Sequence, residues 1–407
     1  MDNLMLDIRQ RTALQQPEWS DPSQVQRVSE ALASRPPLVR ASDVHTLRTL
    51  LAEVAAGRLL VVQAGDCAED PEECTADHIS RKSAALNVLA GALGLAAHKP
   101  VLRVGRIGGQ FAKPRSNPTE QVGGLTLPVY RGHLVNGPEP TPEIRQPDPL
   151  RLLTGYMAAS DIMEHLGWRG PSPRETGDAP VWTSHEALVL DYEIPLLRRD
   201  MEGRLTLGST HWPWIGERTR QIDGSHVALL AEVTNPVACK VGPTMTEDEV
   251  VALCGQLDPE REPGRLTLIA RMGADLVADR LPPLVRAVQA AGHPVIWLCD
   301  PMHGNTKAAP SGHKTRFVET LVREVRGFVA AVENAGGVAG GLHLETTPDD
   351  VTECVVNDSE LDHVGDRYTS FCDPRLTVWQ AATVTSAWGD AANNSTSGDG
   401  DARYSHS

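Results

Sequence analysis

Eight short apolar runs, most of them separated by helical patterns, are the feature of this sequence that most constrains its fold. The runs lie at 59–64, 100–107, 186–192, 205–208, 236–241, 266–270, 294–298 and 340–344. Such runs without strict apolar–polar alternation are typical of strands buried on both faces of a parallel sheet. The helical patterns lie at 79–95, 150–166, 226–233, 247–257, 282–291 and 315–335. This alternation predicts an α/β fold, a (β/α)8 TIM barrel, with a doubly wound parallel sheet as the competing architecture.

The chain on either side of these runs predicts two further regions. Residues 1–58 form a helical N-terminal extension, because apolar residues recur at helical spacing after Asp21 and again after Ser42, and Gly57 ends the second helix. The catalytic barrel is expected over 59–388. From residue 389 the chain is rich in Gly, Ser and Asn without periodicity, so 389–407 is expected to be a disordered C-terminal tail.

Composition excludes several classes of protein. Lys and Arg number 38 against 53 Asp and Glu, a net charge of −15, which argues against nucleic acid or an anionic membrane as partner. No stretch approaches the roughly 20 apolar residues that span a bilayer, and residues 1–11 do not resemble a signal peptide. The seven cysteines are scattered and form no C-x-x-C pair, which argues against a secreted disulfide framework. We expect a soluble, cytoplasmic protein.

Charged or metal-binding side chains follow almost every apolar run, where the carboxyl ends of barrel strands hold active sites. One group is cationic and consists of Arg106, Lys113, Arg115, Arg218, Lys240 and Arg271. Guanidinium groups bind phosphate and carboxylate bidentately, so this group predicts small ligands with several negative charges. A second group suits a borderline divalent ion and consists of Cys67, His303, Glu345 and the later Asp373. A metal beside phosphate-binding cations indicates polarisation of a carbonyl on a phosphorylated substrate.

Each of these residues alone has a simpler interpretation. A lone strand-end arginine is more often part of a surface ion pair, and a lone cysteine is more often a buried apolar side chain. The glycines at 105, 108 and 109 lack the G-x-G-x-x-G spacing of a dinucleotide-binding turn. The prediction of an active site therefore rests on the joint occurrence of these side chains at one end of successive strands.

Longer motifs containing these residues resemble those of the type II (plant-like) 3-deoxy-D-arabino-heptulosonate 7-phosphate (DAHP) synthases. The matching segments include GDCAE at 65–69, RVGRIGGQFAKPRS at 103–116, SHEALVLDYE at 184–193, WIGERTRQ at 214–221, NPVACKVGP at 235–243, LIARMG at 268–273, DPMHGNT at 300–306, GGLHLETTPDDVTEC at 340–354 and CDPRL at 372–376. They run in family order over roughly residues 15–385. The resemblance implies a barrel that condenses phosphoenolpyruvate with erythrose 4-phosphate and releases phosphate, the first step of the shikimate pathway.

The resemblance also implies roles for individual residues. A divalent ion, manganese or cobalt, would be held by Cys67, His303, Glu345 and Asp373. Phosphoenolpyruvate would be surrounded by Arg106, Glu217, Arg218, Lys240 and Arg271. Erythrose 4-phosphate would bind the loop Lys113, Pro114, Arg115 and Ser116, with Lys113 helping to polarise the aldehyde. Glu217 is the candidate group for activating the water that quenches the intermediate.

One departure from the family pattern concerns regulation. Only 13 residues, Arg169–Val181, with three prolines, stand where housekeeping members often carry helices that help to bind aromatic amino acids. Such a segment is too short for a helix pair. We therefore expect weak or absent inhibition by Phe, Tyr or Trp. Short members of this kind resemble the synthases of phenazine and other secondary-metabolite pathways.

Other expectations and alternatives stay open at this stage. Cys67 and Cys372 could form a disulfide when metal is lost. The resemblance implies a homodimer or larger homo-oligomer, and chorismate mutase is a candidate partner. A different metal-assisted sugar-phosphate aldolase is the alternative function, and Lys240 could even be read as a Schiff-base lysine. A catalytically inactive barrel that binds a pathway partner is the alternative outside catalysis.

Overall fold

The structure is a computed structural model that describes residues 3–169 and 180–396. Eight parallel strands close into a barrel in which each strand pairs with its predecessor and successor in the chain, and the first pairs with the last. The strands are β1 (Leu60–Gly65), β2 (Val101–Arg106), β3 (Trp182–Glu186), β4 (Trp212–Ile215), β5 (Val237–Val241), β6 (Leu266–Ala270), β7 (Ile296–Cys299) and β8 (Val338–Glu345). The predicted (β/α)8 barrel is confirmed, and the doubly wound sheet is wrong.

Eleven α-helices are present among the described residues, and most of them surround the barrel. They are α1 (Asn3–Gln10), α2 (Pro22–Ala33), α3 (Ala41–Ala55), α4 (Ala76–Ala97), α5 (Leu150–His165), α6 (Leu190–Glu193), α7 (Ser225–Glu232), α8 (Glu247–Leu257), α9 (Val277–Ala290), α10 (Val318–Asn334) and α11 (Val378–Thr396). Three short antiparallel hairpins pair Thr119–Val122 with Leu125–Pro128, Leu197–Arg199 with Leu205–Leu207, and Lys307–Ala308 with Lys314–Thr315. Among the described helices none is both long and apolar enough to cross a membrane.

Two of the eight predicted strands are placed wrongly. The run at 186–192 leads into α6, and the barrel strand is the preceding β3, whose polar residues are buried and hydrogen-bonded across the barrel. The run at 205–208 contributes Leu205–Leu207 to a hairpin outside the barrel. The barrel strand is instead β4, which contains Pro213 and therefore lacks one backbone donor. Hydrophobicity does not identify β3, because that strand is polar, and the proline in the apolar strand β4 argues against a central strand.

Helix α2 begins where its capping residue predicts, whereas α3 begins at Ala41, just before the predicted Ser42, and has no side-chain cap. Asp21 accepts hydrogen bonds from two amides of the first turn of α2, and Gly57, after α3, has a φ of 73°. Helix α3 covers the amino-terminal end of the barrel. Its Leu47, Leu51 and Val54 pack into the cluster of side chains that fills the barrel interior. The extension therefore closes the end of the barrel opposite the carboxyl ends of the strands.

The predicted tail begins too early. Helix α11 continues through residue 389 to Thr396, while residues 397–407 lie outside the described residues. The helix is held by its buried face, where Val384 and Trp388 join the main hydrophobic core beside α4 and α10. Once packing has formed these turns, each further residue adds a hydrogen bond at little cost, so polar residues without proline extend the helix. Composition alone missed this because the sequence there shows no periodicity.

Candidate active site

The strand-end residues line one cavity of about 470 Å³ at the carboxyl end of the barrel. Eleven of the thirteen predicted site residues line it, namely Arg106, Lys113, Pro114, Arg115, Ser116, Glu217, Arg218, Lys240, Arg271, His303 and Asp373. The other two, Cys67 and Glu345, are 1% and 0% exposed. Glu345 nevertheless contacts side chains that line the cavity. The structure thus brings the predicted residues together, because successive parallel strands end at one face of the barrel.

Three of the four predicted metal ligands converge at the base of this cavity. One ligand atom each from His303, Glu345 and Asp373 lies within 4.8 Å of the other two. His303 Nε2 is 3.2 Å from Glu345 Oε1. The fourth, Cys67, lies beside this cluster, and its Sγ accepts a hydrogen bond of 3.2 Å from the Asp373 amide. An imidazole, two carboxylates and a thiol are a donor set that manganese, cobalt or zinc accepts, so the residues fit a divalent ion.

Cations surround the carboxylates of this cluster. Lys113 Nζ lies 2.8 Å from Glu345 Oε1 and 2.9 Å from Asp373 Oδ2. Arg106 and Arg316 donate to the two oxygens of Glu345 at 3.0 and 2.9 Å, and Arg316 was not predicted from the sequence. Burial by itself raises the pKa of a carboxyl group, but these cations hold the pKa of Glu345 well below its usual range. Glu345 is therefore ionised at neutral pH, as a metal ligand must be.

The thiol of Cys67 is also in the form that binds metals. Burial raises the pKa of a thiol, but a hydrogen bond with Cys372 and the charge of Lys113 lower the pKa of Cys67 to about 6. At neutral pH this thiol is largely a thiolate, the nucleophilic and metal-binding form. The proximity of Cys67 and Cys372 is compatible with the disulfide predicted on loss of metal, which stays a prediction.

Asp300, which was not predicted, orients two of the predicted residues. Its carboxylate accepts hydrogen bonds from Lys240 Nζ and from His303 Nδ1, each at 2.8 Å. Because Nδ1 of His303 donates to Asp300, the Nε2 lone pair faces the carboxylates of the metal cluster. Arg271 Nη2 donates to the His303 carbonyl at 3.1 Å. The available signal was the position of Asp300 at the end of β7, three residues before a predicted ligand.

A buried chain of hydrogen bonds orients Arg106 from inside the barrel. Arg106 Nη1 donates to His343 Nε2 at 3.0 Å, and His343 Nδ1 donates to Gln63 Oε1 at 2.6 Å. Gln63 Nε2 in turn donates to Ser184 Oγ at 2.6 Å. Burial and the charges of Lys240 and Arg106 hold the pKa of His343 well below its usual range. The imidazole is therefore neutral, and its Nε2 can accept from the guanidinium group.

The predicted loop at 113–116 forms one wall of the cavity. Arg218 Nη2 donates to Ser116 Oγ at 2.7 Å. Arg115 forms an ion pair with Glu120 at 3.5 Å. A hydroxyl group and two guanidinium groups on one wall are donors of the kind that bind phosphate.

Two glutamates face the cavity with different surroundings. Glu217 Oε1 accepts from Arg220 Nη2 at 2.9 Å, and its other oxygen has no hydrogen-bond partner in the part of the chain that the structure describes. Glu186 Oε1 likewise has no partner there, and burial raises the pKa of Glu186. The apolar run at 186–192 predicts Glu186 at the start of a strand, away from the active site, whereas it is the last residue of β3.

Comparison with known proteins agrees with this geometry. The chain matches the model of the Class-II DAHP synthetase family over residues 4–167 and 159–387. It is 60% identical over 390 residues to a probable phospho-2-dehydro-3-deoxyheptonate aldolase of Pseudomonas fluorescens, with 95% of this chain and 97% of that protein covered. The chain belongs to the class II DAHP synthetase family.

Two further relatives of this class II DAHP synthetase family member cover most of its length. A phospho-2-dehydro-3-deoxyheptonate aldolase of Streptomyces coelicolor is 42% identical, with 90% of this chain and 92% of that protein covered. A phospho-2-dehydro-3-deoxyheptonate aldolase of Mycolicibacterium smegmatis is 39% identical, with 91% of this chain and 90% of that protein covered. The resemblance to type II enzymes and the DAHP synthase activity expected from it are thereby confirmed. The assignment to the phenazine type stays a prediction.

Proposed function

We propose that the cavity condenses phosphoenolpyruvate with erythrose 4-phosphate with the help of a divalent ion, manganese or cobalt, held by Cys67, His303, Glu345 and Asp373. One observation carries the proposal: the three-ligand cluster opens into a cavity lined by seven Lys and Arg side chains, in a chain with a net charge of −15. Two phosphorylated anions repel each other, so a site that joins them needs fixed positive charge.

We place phosphoenolpyruvate between Arg106 at the end of β2 and the residues that follow or end β4 to β6. Its phosphate and carboxylate would be bound by Arg106, Glu217, Arg218, Lys240 and Arg271. The hydrogen bonds that Arg106 donates to His343 and Lys240 donates to Asp300 support this placement, because they hold both cations in fixed positions before a ligand binds. Pre-oriented donors lose little freedom on binding and therefore favour a single orientation of the substrate.

Erythrose 4-phosphate is placed against the loop at 113–116. Arg115 and Ser116 would bind its phosphate, beside Pro114. Lys113 connects this loop to the metal cluster, because its Nζ lies within 2.9 Å of both Glu345 and Asp373. When bound, the divalent ion supplies Lewis-acid polarisation of the aldehyde. Lys113 would donate a hydrogen bond to the same aldehyde oxygen as carbon C3 of phosphoenolpyruvate attacks the carbonyl carbon.

The second half of the reaction needs a water molecule at C2 of the former phosphoenolpyruvate. Glu217 would take a proton from that water, since its side chain lines the cavity and its Oε2 has no hydrogen-bond partner within the described residues. Burial raises the pKa of Glu186, so this carboxyl group keeps its proton to higher pH than an ordinary glutamate, and in that form it would donate a hydrogen bond. Loss of phosphate from the resulting hemiketal phosphate would then leave DAHP.

Phosphate release from phosphoenolpyruvate tests the proposal. We expect release only with erythrose 4-phosphate present and with manganese in the buffer, and we expect EDTA to abolish it. Release without the aldehyde or in EDTA would contradict the proposal. Borohydride trapping separates the Schiff-base alternative, because only a lysine that forms an imine with substrate would be captured. Lys240, engaged by Asp300, is not expected to be trapped.

The segment at 169–181 supports a proposal about regulation through its length, although residues 170–179 lie outside the described residues. Thirteen residues with three prolines cannot supply a helix pair for an aromatic amino acid. We expect weak or absent inhibition by Phe, Tyr or Trp at concentrations up to about 1 mM, the upper end of typical KM values. Strong inhibition below that concentration would contradict this. The homo-oligomer and the chorismate mutase partner stay predictions.

A further inference from the structure

The segment between α1 and α2 reaches the wall of the active-site cavity. Gln15 Oε1 accepts a hydrogen bond of 2.9 Å from the backbone amide of Arg115, 100 residues along the chain. Gln15 has a φ of 62°, in the left-handed region that residues other than glycine rarely adopt. Such a conformation persists only where the surroundings fix it, and it is common at functional sites.

The contacts of Gln15 belong to a closed ring. The Arg131 guanidinium donates to the carbonyl oxygen of Gln15 and, at 3.1 Å, to that of Gln16. The carbonyl of Arg131 accepts from the Lys113 amide at 2.9 Å. Lys113 and Arg115 belong to the same loop, and the Arg115 amide closes the ring by donating to the side chain of Gln15. The ring therefore fixes the loop at both of its cationic residues by backbone hydrogen bonds.

The ring is anchored to the barrel on its far side. Gln16 Nε2 donates to the Leu188 carbonyl at 2.8 Å, and Gln16 Oε1 accepts from the Leu190 amide at 2.9 Å. Leu188 and Leu190 lie in the connection that follows β3. The segment is thus attached to the barrel independently of the loop that it contacts, so it can hold that loop in place.

We propose that Gln15 is a positioning residue for the second substrate, because its side chain fixes the backbone of Arg115 and so the direction of the guanidinium that binds phosphate. This inference rests on the proposed placement of erythrose 4-phosphate at the loop 113–116. Two of the residues proposed for phosphoenolpyruvate, Lys240 and Arg106, are oriented by Asp300 and His343 instead. Loss of the Gln15 side chain is therefore expected to weaken the use of erythrose 4-phosphate alone.

Two substitutions at one position test the proposal. Gln15→Ala removes the acceptor and keeps the strained backbone, whereas Gln15→Gly removes the acceptor and relieves the strain. We expect both to raise the KM for erythrose 4-phosphate about fivefold, the effect of losing one hydrogen bond, with kcat and the KM for phosphoenolpyruvate within about twofold of wild type. Gln10→Ala, at an exposed position in the last turn of α1, is the matched control and should change none of these.

The same measurements contain the results that would overturn the proposal. An unchanged KM for erythrose 4-phosphate in both variants, or a parallel rise in the KM of both substrates, overturns it. Thermal stability is measured alongside, and we expect the Gly variant to be the more stable of the two with the same KM defect. Wild-type protein that releases no phosphate with erythrose 4-phosphate would overturn the proposed function and this inference together. Active wild-type protein with unaffected variants would overturn this inference alone.

Discussion

At the scale of single residues, Asp300 connects the proposed metal site to the proposed phosphoenolpyruvate site. It is 0% exposed and accepts hydrogen bonds from both Lys240 and His303. Burial by itself raises the pKa of an aspartate, but His303 and Lys240 hold the pKa of Asp300 well below its usual range. The carboxylate is thus charged throughout the neutral range and keeps His303 in one tautomer.

Asp300→Asn keeps the shape of this side chain and removes its charge. Hydrogen-bond partners of metal-binding imidazoles contribute roughly 10- to 100-fold to metal affinity, so we expect the dissociation constant for manganese to rise by about that factor. Competition with a chromophoric chelator measures it, with circular dichroism to check the fold. Asp279→Asn, exposed on α9, is the control. Wild-type affinity in a folded Asp300→Asn protein would contradict the role given to Asp300.

Replacement by glutamine is expected to affect kcat differently at the two glutamates of the cavity, Glu217 and Glu186. A neutral carboxyl group is mimicked by glutamine, whereas a general base is not. We therefore expect Glu217→Gln to lower kcat by about 10²- to 10⁴-fold and Glu186→Gln to lower it far less. Because the raised pKa keeps Glu186 protonated to higher pH, its ionisation would reduce wild-type activity as pH rises.

Steady-state kinetics across pH checks both statements, with the exposed Glu202→Gln as control. Ionisation of Glu186 is expected to reduce wild-type activity at high pH. The Glu186→Gln variant should not show this reduction. Equal losses of kcat in the Glu186 and Glu217 variants at neutral pH would show that Glu186 acts in its charged form.

The positions of residues at strand ends were enough to predict most of the side chains around the cavity. They were not enough to predict Asp300 and Arg316. Arg106, Lys240 and Arg271 were found because each directly follows or ends an apolar run. Asp300 and Arg316 were not: Asp300 also follows a strand, but its role comes from pairing with Lys240 and His303, and Arg316, which precedes α10, acts through Glu345 on β8. Such pairings depend on the three-dimensional register, which a local pattern does not contain.

At the scale of elements, helices were predicted more reliably than strands. Helix α8 spans the predicted 247–257, and a capping box at Thr246 and Glu249, whose two hydrogen bonds both form locally, begins it. Strand β3 was misplaced because burial in this barrel does not require apolar side chains, whereas the apolar strand β4 was passed over in favour of the run at 205–208. Thr183 and Ser184 are buried yet hydrogen-bonded to neighbours in the barrel.

The contact between α4 and α11 gives a prediction at this scale. A Cβ atom at Gly389 would lie 2.8 Å from the Ala96 carbonyl oxygen, whereas one at Gly255 on α8 would meet nothing within 4 Å. We expect Gly389→Ala to destabilise the protein by about 1–3 kcal/mol, since backbone must move. Gly255→Ala, the matched control, should stabilise it by about 0.5–1 kcal/mol. Urea unfolding measures both, and stabilisation by Gly389→Ala would show that the two helices are not held this closely.

At the scale of the whole molecule, the metal is expected to contribute to stability. Ligand binding to the folded state alone adds about 2.7 kcal/mol when the free ligand is 100-fold above its dissociation constant. We therefore expect EDTA to lower the melting temperature and manganese to restore it. Glu345→Gln should remove this manganese-dependent shift, and the exposed Glu333→Gln should keep it. A melting temperature that is insensitive to manganese in wild-type protein would contradict the proposed metal site.

The pairing of β1 with β8 also determines when the protein can become active during its synthesis. Cys67 follows β1, whereas Glu345 ends β8 and Asp373 lies 306 residues beyond Cys67. The proposed ligands therefore come from opposite sides of the place where the sheet closes. A growing polypeptide on the ribosome holds only one side of that junction, so it gains its affinity for metal and its two substrates in one late step, after β8 and the segment carrying Asp373 have emerged.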